Sequence, residues 1–106
     1  MSSMIPRGNL NKLEVLSLTL SPVAVAANTS AEQTFTVPGL LTTDAVIGVS
    51  KPTAQAGLGI VGYRISAANT LAITFGNFTA GSITPTASQV YQVTIARPDS
   101  ATTVWQ

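Results

Sequence analysis

The sequence predicts an all-β domain, an antiparallel β-sandwich or jelly roll of about seven or eight strands. Three observations carry that prediction. Apolar and polar residues alternate with a period of two along most of the chain. Pro, Gly and Asn residues cut the alternation at spacings of roughly 8–14 residues, the rhythm of strands joined by turns. In no window do apolar residues recur at i, i+3, i+4 and i+7 for two turns, so no helix is expected.

Taken in order, Leu16, Leu18 and Leu20 share one face of a strand, with Val15, Ser17 and Thr19 on the other, and Ser21-Pro22 breaks the run. Val23 and Val25 alternate with Ala24 and Ala26 in a second strand, closed by a turn at Asn28-Thr29-Ser30. Phe35 and Val37 then oppose Thr34 and Thr36, up to Pro38-Gly39, a dipeptide suited to the centre of a type II turn. Ala45, Ile47 and Val49 alternate with Val46, Gly48 and Ser50 until Lys51-Pro52, because proline has no N–H for a ladder.

Residues 53–59 are small and read as a long loop. Val61, Tyr63 and Ile65 share a face opposite Gly62, Arg64 and Ser66. A hairpin turn follows at Ala67-Ala68-Asn69, where Asn tolerates positive φ. Leu71, Ile73 and Phe75 make the next buried face; residues 78–88 read as irregular; and Tyr91, Val93 and Ile95 alternate with Gln92, Thr94 and Ala96 up to Arg97-Pro98. The resulting organisation is an N-terminal arm (1–12), a single β domain (13–98) and a C-terminal tail (99–106).

The composition excludes much. The chain has 106 residues, no Cys and no His, and 8% charged side chains where a soluble domain usually has about 25%. One domain is expected at this length. Without Cys there are no disulfides, thiolates or Cys-based metal sites; without His the commonest general base and metal ligand is missing. Glu14, Glu32, Asp44 and Asp99 stand singly, so no spaced carboxylate pair announces acid–base catalysis. No enzyme activity, cofactor or metal is expected.

A net charge of +1, from scattered Arg7, Lys12, Lys51, Arg64 and Arg97, does not build the positive stripe that nucleic acid requires. No window approaches the 18 or more consecutive apolar residues of a membrane helix. The first twelve residues are polar and interrupted by Pro6 and Gly8, unlike a secretory signal, so the chain is read as mature and soluble.

Gly57 to Gly62 approximates a dinucleotide-binding glycine motif, but it enters a strand rather than a helix, and pyrophosphate binding needs the helix N-terminus. Asn28-Thr29-Ser30 and Asn77-Phe78-Thr79 have the form of glycosylation sequons and are read as turns. Arg64 either marks the solvent face of its strand or pairs with a carboxylate of a neighbouring subunit.

The ends carry apolar residues without strand alternation: Met4, Ile5 and Leu10 near Arg7 at the front, Val104 and Trp105 at the back. They either fold back on their own domain or dock on another chain. Uncharged Thr, Ser and Ala faces of strands are surfaces that associate unless something covers them. Met4, Ile5, Arg7, Leu10, Arg64, Val104 and Trp105 are therefore the candidate interface residues.

The stretches Phe35 to Val49 and Lys51 to Ile60, with Ala68 to Asn77 and Ile83-Thr84-Pro85-Thr86 before Tyr91, resemble small proteins of tailed-bacteriophage structural modules. The similarity covers residues 15–97. It implies a virion component of the capsid decoration, or cement, type on the capsid exterior. Its partners would be the major capsid protein and itself, as a dimer or trimer, with no catalytic residue to transfer. The alternative is a receptor- or glycan-binding module of a head or tail fibre.

Overall fold

The computed structural model describes residues 10–98, which contain six strands and no helix. They are β1 (Leu10–Leu20), β2 (Thr29–Thr36), β3 (Ala45–Ser50), β4 (Leu58–Ala67), β5 (Thr70–Asn77) and β6 (Gln89–Pro98). Two antiparallel three-stranded sheets result, in the orders β1-β6-β3 and β2-β5-β4. Only β4 and β5 are joined by a tight hairpin within one sheet. Every other connection passes from one sheet to the other, so neither sheet is complete until the chain has crossed repeatedly.

The inner faces of both sheets contribute to one core. Tyr91, Val93 and Ile95 of β6 lie in it with Leu71, Ile73 and Phe75 of β5, all at or near zero exposure. Both are central strands, as their full burial requires. Leu16 and Leu18 of β1, Phe35 of β2 and Ile60 and Ile65 of β4 pack around them. Burying each such side chain stabilises the fold by about 1.5–3 kcal/mol.

Turn chemistry follows the sequence closely. Asn28 and Asn69 adopt φ of 53° and 61°, and Gly39 adopts 98°. The Asn69 carboxamide oxygen accepts from the Gly39 N–H at 2.8 Å, and Val37 N donates to the Asn69 carbonyl, locking the two turns together.

Three expectations change. The predicted strand at Val23–Ala26 is not one of the six: it makes a single bridge, Val25 to Ile83. The Gln33 carboxamide replaces a strand partner there, donating to the Val23 carbonyl at 2.9 Å and accepting from its N–H at 2.8 Å. Next, strict alternation fails in β3 and β4, where register shifts fall between Val46 and Gly48 and between Ile60 and Gly62. Each bulge inserts an unpaired residue. Val46 and Val49 therefore pack on the core while Ile47 is exposed, and Ile60 takes the inward place while Val61 is exposed. Val61 and Ile65 do not share a face.

Finally, β1 begins at Leu10, inside the region read as an arm, and the loop after Lys51 ends at Gly57 rather than residue 59. Gly57 has φ of 80° and lies against the Thr79 methyl, which a Cβ would meet. That contact, rather than a phosphate, accounts for the glycine.

Candidate functional site

Seven charged side chains lie among the described residues, and six of them form three ion pairs. Arg97 grips Asp44 with two prongs, Nε to Oδ1 and Nη2 to Oδ2, both 2.8 Å, and Nη2 also donates to the Gly39 carbonyl. The Asp44 carboxylate is fully buried and accepts from Leu41 N as well. The Arg97 hydrogen bonds, aided by the Leu41 N–H, hold its carboxyl below the ordinary range despite the opposing cost of burial.

Arg64 makes the same two-pronged contact with Glu32, at 2.8 and 2.9 Å, reaching across β5 on the outside of the β2-β5-β4 sheet. The hydrogen bond from Arg64 lowers the Glu32 pKa. Lys12 and Glu14 pair at 3.3 Å. Lys51 instead donates to the Thr53 carbonyl and hydroxyl, and partial burial lowers its pKa. The chain thus neutralises most of the little charge it has.

Arg64, read as a candidate for a neighbour's carboxylate, already has an intrachain one. Leu10 belongs to β1, opposite Pro98, and is half-exposed. Met4, Ile5, Arg7, Val104 and Trp105 lie outside the described residues. Leu10 and Pro98 are partners in the ladder, so the described chain enters and leaves at the same end of the β1-β6-β3 sheet.

That end has an unusual polarity, which the reading by alternation missed. In the second half of β1 the pattern is ordinary: Leu16, Leu18 and Leu20 face inward, Ser17 and Thr19 outward. In the first half it inverts. Lys12 and Glu14 share the inward side with Arg97 and Ile95, while Leu13 and Val15 share the outward side with Ala96 and Thr94. Leu13 is 63% exposed and Val15 60%. The register continues across β6 to Ala45 and Gly48 of β3. The signal was present in the sequence, in Leu13-Glu14-Val15-Leu16, where two consecutive apolar residues reverse the phase of the strand.

The outer face of this sheet carries Leu13, Val15, Ser17 and Thr19 from β1, Val90, Gln92, Thr94 and Ala96 from β6, and Ala45, Gly48 and Ser50 from β3. None is charged. The outer face of the other sheet differs: Glu32, Arg64, Ser30 and Thr34 make it polar.

A second feature lies at one end of that polar face. Phe78, 70% exposed, and Val61 close over Gly76, where a Cβ would come within 3.0 Å of both side chains. With Asn28, Thr29, Ser30 and Asn77 they line an open recess of about 520 Å³. Asn77 is not a glycosylation acceptor, because it is fully buried and its amide donates to the carbonyls of Val25 and Gly81.

Among the described residues no group of three or more acidic side chains is placed to hold a metal ion, and no helix is long and apolar enough to cross a membrane. In comparisons with family models, curated proteins and solved structures, nothing matches this chain.

Proposed function

We propose that this chain is a structural virion protein that decorates a bacteriophage capsid and stabilises it by bridging adjacent major capsid protein subunits, its six strands forming a small β-sandwich. The reading starts from the resemblance of residues 15–97 to tailed-phage structural proteins. The observation that supports it most is the combination of internally paired charges with a broad uncharged outer sheet face. Such a face favours burial against protein neighbours over steering of charged ligands.

Cement action follows from simple mechanics. Each copy adds interface that shell expansion or rupture must break, and a standard interface buries roughly 1,200–2,000 Å². Repeated over a shell, modest contacts sum to resistance against internal DNA pressure. In this reading the ends containing Met4, Ile5, Val104 and Trp105, which adjoin the paired residues Leu10 and Pro98, act as the gripping arms.

Copy number tests this directly. Densitometry of purified virions is expected to give the protein in proportion to the major capsid protein. A band at fibre stoichiometry, or none, overturns the proposal. The arms are tested by deleting residues 1–9, a cut that spares β1, and by Trp105→Ala. Both variants are expected to fold and to bind shells more weakly.

A second reading, a glycan- or receptor-binding module of a fibre, draws on Phe78. An exposed aromatic ring beside neutral Asn28, Thr29 and Ser30 has the chemistry of a sugar platform. Loss of glycan-array binding on Phe78→Ala, with the fold retained, is the result that would favour it.

A further inference from the structure

We infer that the outer face of the β1-β6-β3 sheet is a self-association surface, its occupant the same face of a second copy. The inference concerns dimer formation alone and does not depend on the shell-binding reading.

The first ground is the phase inversion in β1. A strand that turns Leu16, Leu18 and Leu20 inward and Leu13 and Val15 outward is arranged for burial on opposite sides in its two halves. The inward side of the first half has given up apolar packing. It carries Lys12, Glu14 and, opposite, Arg97, whose carboxylate partner is the buried Asp44. Its apolar residues have moved to the outside, where the described residues leave them uncovered.

The second ground identifies the occupant. This face has no charged side chain, so mating it with its own copy strands no charge, whereas a charged partner surface would lose hydration without gaining a counterion. Its two edges also differ in relief: β1 projects Leu13 and Val15, while the residues in register with them on β3 are the small Ala45 and Gly48, with the exposed bulge residue Ile47 between them in the chain, and Ala96 lies between the two edges, 6% exposed.

A two-fold axis parallel to β6 places the β1 edge of each copy over the β3 edge of the other. Leu13 and Val15 then come level with Ala45 and Gly48 without sliding along the strands, and Ile47, between those two in the chain, falls between the levels of Leu13 and Val15. Face-to-face sheets pack about 10 Å apart, the thickness such side chains fill. The interface is isologous, the commonest kind in homodimers.

Sedimentation velocity on the full chain over a concentration series tests the proposal. The wild type is expected to show a monomer–dimer equilibrium. The double change Leu13→Asp with Val15→Asp, on exposed positions, should keep the far-UV circular dichroism of the wild type and weaken dimerisation by about 100-fold or more. Phe78→Asp, just after β5 and beside the other sheet, should leave dimerisation unchanged.

The chain has no cysteine, so single cysteines report geometry cleanly. A short bismaleimide should join a Leu13→Cys copy to an Ala45→Cys copy in a mixture, in preference to joining two Leu13→Cys copies. This second arm serves if the aspartate variant fails to fold. A wild type that stays monomeric to about 0.5 mM, dimers that survive the aspartate pair, or cross-links without the 13-to-45 preference overturn the inference. A monomeric wild type that dimerises only when residues 99–106 are removed also overturns it, because the face would then be covered by its own tail. Virion copy number and shell binding are read separately, so an intact dimer absent from virions defeats the proposed function and leaves this interface standing.

Discussion

Asp44 and Arg97, separated by 53 positions in the chain, meet in a two-pronged ion pair, with both contacts at 2.8 Å and the carboxylate fully buried. Arg97 is the penultimate residue of β6 and Asp44 immediately precedes β3, so the pair pins a loop to the central strand of its sheet. The same Arg97 also holds the Gly39 carbonyl, which ties in the turn after β2. Asp44→Asn, which keeps the shape and loses the charge, is expected to lower unfolding free energy by about 2 kcal/mol, read from the urea midpoint at neutral pH.

The same pair makes stability depend on acid. In the folded protein the Asp44 carboxyl is held below its ordinary value, first by the Arg97 hydrogen bonds, and Glu32 is lowered by Arg64. The unfolded chain therefore binds protons at higher pH than the native one. These groups contribute their full stabilisation above the unfolded carboxyl value, about 4, and lose it as pH falls through the lower folded value. Midpoints should drop steeply below about pH 4, and Asp44→Asn should flatten that drop. An unchanged slope would show that other carboxyls govern it.

Asn77 organises the irregular segment after β5. Its amide donates to the carbonyls of Val25 and Gly81, and its oxygen accepts from the Thr79 N–H and hydroxyl. Asn77→Asp replaces a donor to two carbonyls with an acceptor and should cost about 3 kcal/mol or more. Thermal unfolding monitored by circular dichroism measures it. Asn77→Ala should fall between this variant and the wild type.

Tyr91 offers the opposite case. It is completely buried, and its hydroxyl has no hydrogen-bond partner among the described residues. Burial raises its pKa. Tyr91→Phe should therefore keep or raise the denaturant midpoint. The native phenol stays neutral while the unfolded one ionises near pH 10, so wild-type stability should fall as pH rises through that region. The phenylalanine variant should be less sensitive there.

Gln33 provides a test of a side chain acting as strand. Gln33→Ala removes both hydrogen bonds to Val23 and should cost about 1–2 kcal/mol. Hydrogen exchange should show the Val23 amide losing its protection while amides of β5 keep theirs. Equal loss in both would mean that the segment unfolds only with the whole domain.

Much of the fold was legible because alternation is a local property. A buried face on an extended strand requires every second residue to be apolar, and Leu71, Ile73, Phe75, Tyr91, Val93 and Ile95 meet that requirement without reference to the rest of the chain. The positive φ at Asn69 and Gly39 was equally readable, since few residues accept it. The bulges at Ile47 and Val61 were not, because an inserted residue is set by the partner strand's register rather than by its own sequence. The Val23 segment was misread for a related reason: alternating Val and Ala suits a strand, but whether a ladder forms depends on which backbone stands opposite, and Gln33 stands there.

By itself the sequence determined the strand class of the domain, its turns, its central core residues and its poverty of charge, all of which follow from residue type and spacing. Only the tertiary structure decided what that charge does and which sheet face is left without it. Ion pairing joins Asp44 to Arg97 and Glu32 to Arg64 across distances in the chain that no spacing rule covers. The Leu13 and Val15 face acquires meaning only beside Ala96, Ala45 and Gly48, whose register with β1 is established by strand pairing across the whole domain.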